Sequence, residues 1–195
     1  MAYTTYTTAA LVCGSVDNNS ADRAYLLFTE EFGMVWATAR SVREERSRQR
    51  YALQDFSLIR VSLVKGKGGW RIGSVEAYGN EFLATTVRSE RAGLLGLVKM
   101  LRRYVHGEER LSRIWADSLA YIEILRSDSD ARSFSILQRV YTVRLLYVLG
   151  YIPDDATIAD SIRAESLSAA LTQYQPELAK HIDALIAHAE IVSQL

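Results

Sequence analysis

Five arginines stand almost on alternate positions in this chain: Arg40, Arg43, Arg46, Arg48 and Arg50. Lys65, Lys67 and Arg71 follow within the next strand-and-turn segment. From Ala39 to Ile72 there are nine Lys/Arg against three Asp/Glu, in a chain whose formal net charge is zero. A guanidinium is a planar fork that grips a phosphate with two bonds and stacks on bases, which an ammonium does less well. A cationic excess on loops between strands is the electrostatic footprint of a protein that holds a nucleic-acid backbone. Tyr51, Trp70 and Tyr78 lie nearby in sequence, and aromatics beside positive loops suit single strands, whose bases can stack on them. The competing reading is a solvated loop partly neutralised by Glu44 and Glu45, with Trp36 and Trp70, both within strands, serving the core.

A second cationic set punctuates apolar helices. Arg132, Arg139 and Arg144 interrupt a helix that is otherwise apolar nearly all round, and Lys99, Arg102 and Arg103 line an earlier one. An apolar groove rimmed by cations suits a peptide that ends in acidic residues and an aromatic ring. Alternatively these cations are the polar edges of amphipathic helices, paired with Glu108, Glu109, Asp128 or Asp130.

No constellation has the spacing of a catalytic or metal site. His106, His181 and His188 are scattered, and His181 and His188 read as helix-surface residues. KGKGG (65–69) is glycine-rich but lacks the GKS/GKT ending of a phosphate loop and joins two strands instead of opening a helix. No serine sits in a nucleophile elbow. The expectation is a binding protein, not an enzyme, that needs no metal, nucleotide or other cofactor.

The elements that position these residues fall into two parts. Short runs rich in Val, Leu, Tyr, Trp and Thr predict strands at Ala9–Val16, Ala24–Thr29 and Met34–Ser41, with EEFG (30–33) turning the second into the third. SLIRVSLV (57–64) alternates, with Ile59, Val61 and Leu63 on one face and Leu58, Arg60, Ser62 and Val64 on the other; WRIGSVEAY (70–78) returns as a fifth strand. Five strands with a long basic connection after the third is the strand count of an OB-type barrel. From about residue 81 the period becomes helical. One helix carries Leu94, Leu97, Val98 and Leu101, with a cap expected at Ser89 before Glu90. A second runs near Glu109–Arg126. A third, near Ala131–Leu149, is entered through SDSD (127–130) and stopped by Gly150. Weaker helices follow, the last opening at Pro176. The expected fold class is α+β: a five-stranded OB barrel at 1–80 and an all-helical domain at 81–195.

At 195 residues and 49% hydrophobic composition, the chain suffices for two such domains and does not read as disordered. No apolar run approaches the ~20 residues of a membrane helix. MAYTTYTTAALVCGS lacks the features of a signal peptide, and the one cysteine, Cys13, reads as a small core residue, so a cytosolic, reducing setting is expected. Residues 1–80 carry ten basic and eight acidic side chains, 81–151 eleven and eight, and 152–195 two and seven. The acidic last segment is therefore not expected to touch nucleic acid.

FTEEFGMVWATARSVR (28–43), followed by RYALQDFSLIRVSLVKGKGGWRIGSVEA (50–77), resembles the N-terminal domain of the RecO family, recombination mediators of bacterial DNA repair. Gln54, Asp55, Phe56 and Ser57 stand where that family commonly has QPFS, and RLLYVLGYIPD (144–154) is similar to the end of its long central helix. The resemblance covers roughly residues 8–155 and leaves 156–195 unmatched. It implies an OB-fold domain and a helical domain that bind single- and double-stranded DNA and anneal complementary strands. It also implies work with RecR and the acidic-apolar tail of single-strand binding protein to load the recombinase, in the bacterial cytosol and associated with the nucleoid. The chain is short for the family and has no cysteine after Tyr151, so the zinc-binding insertion of many relatives is not expected. Two alternatives stay open: a protein-interaction scaffold, and a non-sequence-specific single-strand binder outside recombination.

Overall fold

The structure, a computed structural model, describes residues 4–127 and 131–193. The N-terminal strands are β1 (Thr5–Asp17), β2 (Arg23–Thr29) and β3 (Gly33–Ala39), an antiparallel meander. β4 (Ser57–Gly66) and β5 (Gly69–Asn80) form a second hairpin. Spatial order is β1-β2-β3-β5-β4, closed by β4 pairing back onto β1. The joint between β3 and β5 is parallel and short, with Ala37 opposite Trp70 and Thr38 opposite Arg71. This is the five-stranded OB-type barrel, followed by helices, that the strand count implies.

Alternation decides what enters the barrel. On β4, Ile59, Val61 and Leu63 are fully buried while Arg60 is exposed. On β3, Val35, Ala37 and Ala39 point inward and Trp36 points out, 48% exposed, because a five-stranded barrel leaves room for small side chains at these positions. Trp36 is thus not core. Trp70 is, with its ring centroid 5.7 Å from Tyr6 and 5.2 Å from Phe32. Cys13 is buried at a bulge in β1, as a small core residue should be. β1 begins four residues before the expected start, because Thr5 to Thr8 extend the ladder against β4.

Gly33 ends the β2–β3 turn with φ +59°, and a Cβ there would lie 2.3 Å from the Glu109 carbonyl oxygen. The reason is the segment His106–Ser112, which packs on the barrel: Met34 donates to the Gly107 carbonyl at 3.0 Å and Arg110 pairs with Glu31 at 3.1 Å. One compact unit accordingly comprises the residues up to Thr85, including the one-turn helices α1 (Gln49–Ala52) and α2 (Glu81–Ala84), together with His106–Ser112.

The other unit contains α3 (Arg88–Tyr104), α4 (Ser112–Ser127), α5 (Ala131–Val148), α6 (Ala159–Arg163), α7 (Leu167–Thr172) and α8 (Ala179–Ser193). α5 is central, touching α3, α6, α7 and α8, as its nearly all-round apolar sequence requires. It stops at Gly150, where Tyr151 and Gly150 donate back to the carbonyls of Leu146 and Tyr147. Gly93 lets α3 approach its neighbours, since a Cβ there would meet Phe134 at 2.5 Å and Leu125 at 2.8 Å.

Three local expectations are corrected. Val87, not Ser89, is the N-cap of α3, and Ser89 lies inside the helix. α4 starts at Ser112, where the segment that packs with the barrel unit ends. Pro176 opens a 3-10 turn, Pro176–Leu178, that leads into α8. SDSD falls, from residue 128, outside the described residues. Among the described residues no helix is long and apolar enough to cross a membrane.

Candidate nucleic-acid interface

The arginine run occupies the connection between β3 and β4, and two apolar side chains fix that connection to the barrel. Val42 and Leu53, 1% and 3% exposed, both insert into the barrel core. Arg46 and Arg48, lying between these anchors, project into solvent, and the Arg46 side chain is 92% exposed with only a 3.8 Å contact to Glu44.

The remaining arginines divide around α1. On one side Arg40 and Arg71 line a cleft of about 380 Å³ together with Gln49, Val64, Ile72 and Gly73. Gln49 donates to the Gly73 carbonyl at 2.7 Å and holds α1 against β5. On the other side Arg50, Arg23 and Tyr51 line a second cleft of about 470 Å³ with Gln54 and Asp55. Tyr51 is 64% exposed. The Arg50 guanidinium lies 4.7 Å from its ring centroid and donates to the Tyr51 hydroxyl at 2.7 Å. A cation beside an exposed ring can serve a phosphate and a base at once.

Two of the expected cations are held by carboxylates. Arg43 donates to the Asn19 carbonyl at 2.7 Å and lies 3.5 Å from Asp17, which also takes a 2.7 Å contact from Arg23. Asp17 raises the Arg23 guanidinium above its ordinary value. Lys65 sits 2.5 Å from Glu108 and 5.0 Å from the Trp70 ring centroid; its hydrogen bond holds the Glu108 carboxyl below the usual range. Lys67 is exposed in the β4–β5 turn. Arg23 was not singled out from the sequence, because a lone arginine opening an ordinary strand carries no signal until β2 is placed beside the connection. Tyr78 is 63% exposed on β5.

In the helical unit a cleft of about 450 Å³ lies between α3, α5 and α8. It brings together Lys99, Arg103 and Arg139, with Met100 and Thr142 among its lining residues. Arg102 is exposed on α3 and is not among the cleft residues. Arg139 makes a two-bond pair with Asp183, at 2.6 and 3.0 Å, and Arg103 lies 3.1 Å from Glu190. Arg144 is corrected: it is 0% exposed, bonded to Asp117 and to the Ser161 and Ala164 carbonyls, and can meet no partner. Arg132 belongs to α5, but its side chain lies outside the described residues. Among the described residues, the carboxylates that pair with Arg103 and Arg139 come from α8 and that of Arg144 is Asp117; Glu108 pairs with Lys65, and Asp128 and Asp130 lie outside the described residues.

Comparison with known proteins gives this barrel its kinship. Residues 1–80 match the family described as "Recombination protein O N terminal". In residues 1–80 the chain is therefore similar to the N-terminal domain of that family. Over 151 residues it is 26% identical to the DNA repair protein RecO of Desulfitobacterium hafniense strain DSM 10664 / DCB-2, and equally to that of strain Y51. Each match covers 76% of this chain and 53% of the relative, so the chain spans about half the length of the curated relatives it matches. Among the described residues there is no group of three His, Cys, Asp or Glu that could hold a metal ion.

Proposed function

We propose that this protein binds DNA through its barrel and serves as a non-catalytic, RecO-like mediator that anneals strands and helps load recombinase in recombinational repair. The observation that carries the reading is the anchored connection: Val42 and Leu53 enter the core, and Arg46 and Arg48 between them are exposed to solvent. Backbone phosphates would meet Arg40, Arg46, Arg48, Arg50, Lys67 and Arg71, and an unstacked base would meet Tyr51. Arg43 and Lys65 would contribute less, since each must first release a carboxylate. The names of the relatives, DNA repair protein RecO, agree with this direction.

The experiment is DNA affinity against salt for the wild type and for R46A/R48A/R40A. The log–log salt slope should flatten by about one unit for each phosphate the variant no longer neutralises, equally for all sequences. Unchanged affinity in the triple variant at low salt overturns the proposal and leaves a protein-interaction scaffold.

The cleft of the helical unit favours a second role for the same protein. Lys99 stands in it without a carboxylate partner among the described residues. We propose that the cleft takes an acidic peptide ending in an aromatic, the natural candidate by resemblance being the tail of single-strand binding protein; a RecR-like partner would act elsewhere.

A further inference from the structure

α8 faces that cleft with two carboxylates seven residues apart, two helical turns, on one side of the helix. Asp183 grips Arg139 of α5, and Glu190 meets Arg103 of α3 while accepting a 2.6 Å bond from the Tyr104 hydroxyl. Both cations thus already carry carboxylates from the chain's own acidic last segment. The apolar grip of α8 is thin: among its described side chains only Ile182 and Ala189 are buried, while Ile191 and Val192 are 76% and 65% exposed. A helix held by few buried contacts and exposed ion pairs belongs to the least stable part of a fold.

We propose that α8 is a built-in competitor for the cleft, its Asp183 and Glu190 occupying the cations that an incoming acidic peptide must reach. This rests on the peptide-binding reading of the cleft and adds its regulation. A peptide whose carboxylates take Arg139 and Arg103 displaces those of α8, so binding and release of α8 are coupled. Lys99, which has no such competitor, is the first cation the peptide meets. Because the competing pairs are partly exposed, the coupling is modest and sensitive to salt.

The test uses a fluorescent hexapeptide of four aspartates ending in Leu-Phe with a free carboxylate. D183N/E190Q should bind it about five-fold more tightly than the wild type, and K99A should bind it more weakly. In the wild type, hydrogen exchange of the α8 amides should accelerate when the peptide is bound, a readout that needs no variant to fold. Equal or weaker binding by D183N/E190Q, or α8 amides better protected in the complex, overturns the competitor while a weakened K99A leaves the cleft reading standing. No binding at ~100 μM, a concentration at which a dedicated site is occupied, by wild type, D183N/E190Q or K99A overturns both.

Discussion

Arg144 and Asp117 form a two-bond ion pair inside the helical unit: Nε donates to Oδ2 at 2.9 Å and Nη2 to Oδ1 at 3.1 Å, with side chains 0% and 8% exposed. Arg144 Nη1 donates to the Ser161 and Ala164 carbonyls, and Arg113 donates to those of Ile162 and Ala164. The pair thereby ties α4 and α5 to the end of α6. Removing one partner leaves the other charge buried alone, which costs about 3–5 kcal/mol. R144A and D117A should each lower the unfolding free energy by that much, read by chemical denaturation, and a double change to apolar residues should recover part of it. A loss below about 1 kcal/mol, the range of an exposed pair, for either single variant would contradict this role.

Arg43 and Arg48, five residues apart in the same connection, have opposite expected phenotypes. Arg43 braces the β1–β2 loop through Asn19 and Asp17, whereas Arg48 is exposed in the connection. R43A should leave DNA affinity nearly intact and lower stability by up to about 1 kcal/mol. R48A should weaken DNA binding with thermal stability unchanged. Paired binding and melting curves check both, and the reverse pattern refutes the assignment.

Gly33 cannot be replaced cheaply. G33A must hold φ +59° and place a methyl 2.3 Å from the Glu109 carbonyl oxygen, so segment 106–112 must move off the barrel. The expected loss is about 3 kcal/mol from strain and displaced packing, read by chemical denaturation. A G33A protein as stable as wild type would show that the segment does not brace the barrel.

Tyr121 and Tyr141 stack edge to face, their centroids 5.1 Å apart, but only one hydroxyl is satisfied by its neighbours. Tyr141 bonds Ser118 at 2.8 Å; the buried Tyr121 hydroxyl has no partner among the described residues, and burial pushes its phenol well above the ordinary value. Y121F should be neutral or stabilising by up to about 1 kcal/mol, and Y141F should destabilise by about the same. Melting temperatures of the two variants decide, and a destabilised Y121F would reveal a bonded hydroxyl.

The acid limb of stability should report the Glu108 and Asp155 carboxyls. Glu108 is held low chiefly by Lys65, and Asp155 chiefly by His181 at 2.7 Å, with the Thr157 amide assisting. A carboxyl depressed in the folded state contributes stability above its unfolded value, about 4, and that contribution is lost as pH falls through the folded value. The denaturation midpoint should therefore be level near neutrality and fall below about pH 5. E108Q should flatten the descent; an identical acid limb in E108Q would remove Lys65–Glu108 from the account.

The elements are legible in the spacing of residue types along the chain. Period-two alternation in 57–64, the glycine-closed turn at 30–33 and the all-round apolar run of α5 each fix a local conformation through spacing alone, and five strands then leave few ways to close a barrel. The arginines of the connection were equally legible, because charge needs no partner to be read. Which side chains meet is settled only when the elements pack. Trp36 and Trp70 look alike in their strands, yet closure of a narrow barrel turns one outward and one inward. Arg144 reads as a rim cation until Asp117, 27 residues away, arrives beside it in the interior. Residues 156–195 carry no recognisable motif, and their acidic composition alone cannot say that α8 lays Asp183 and Glu190 on Arg139 and Arg103. Burial and charge pairing are properties of contacts between distant segments, and those contacts exist only once the chain has folded.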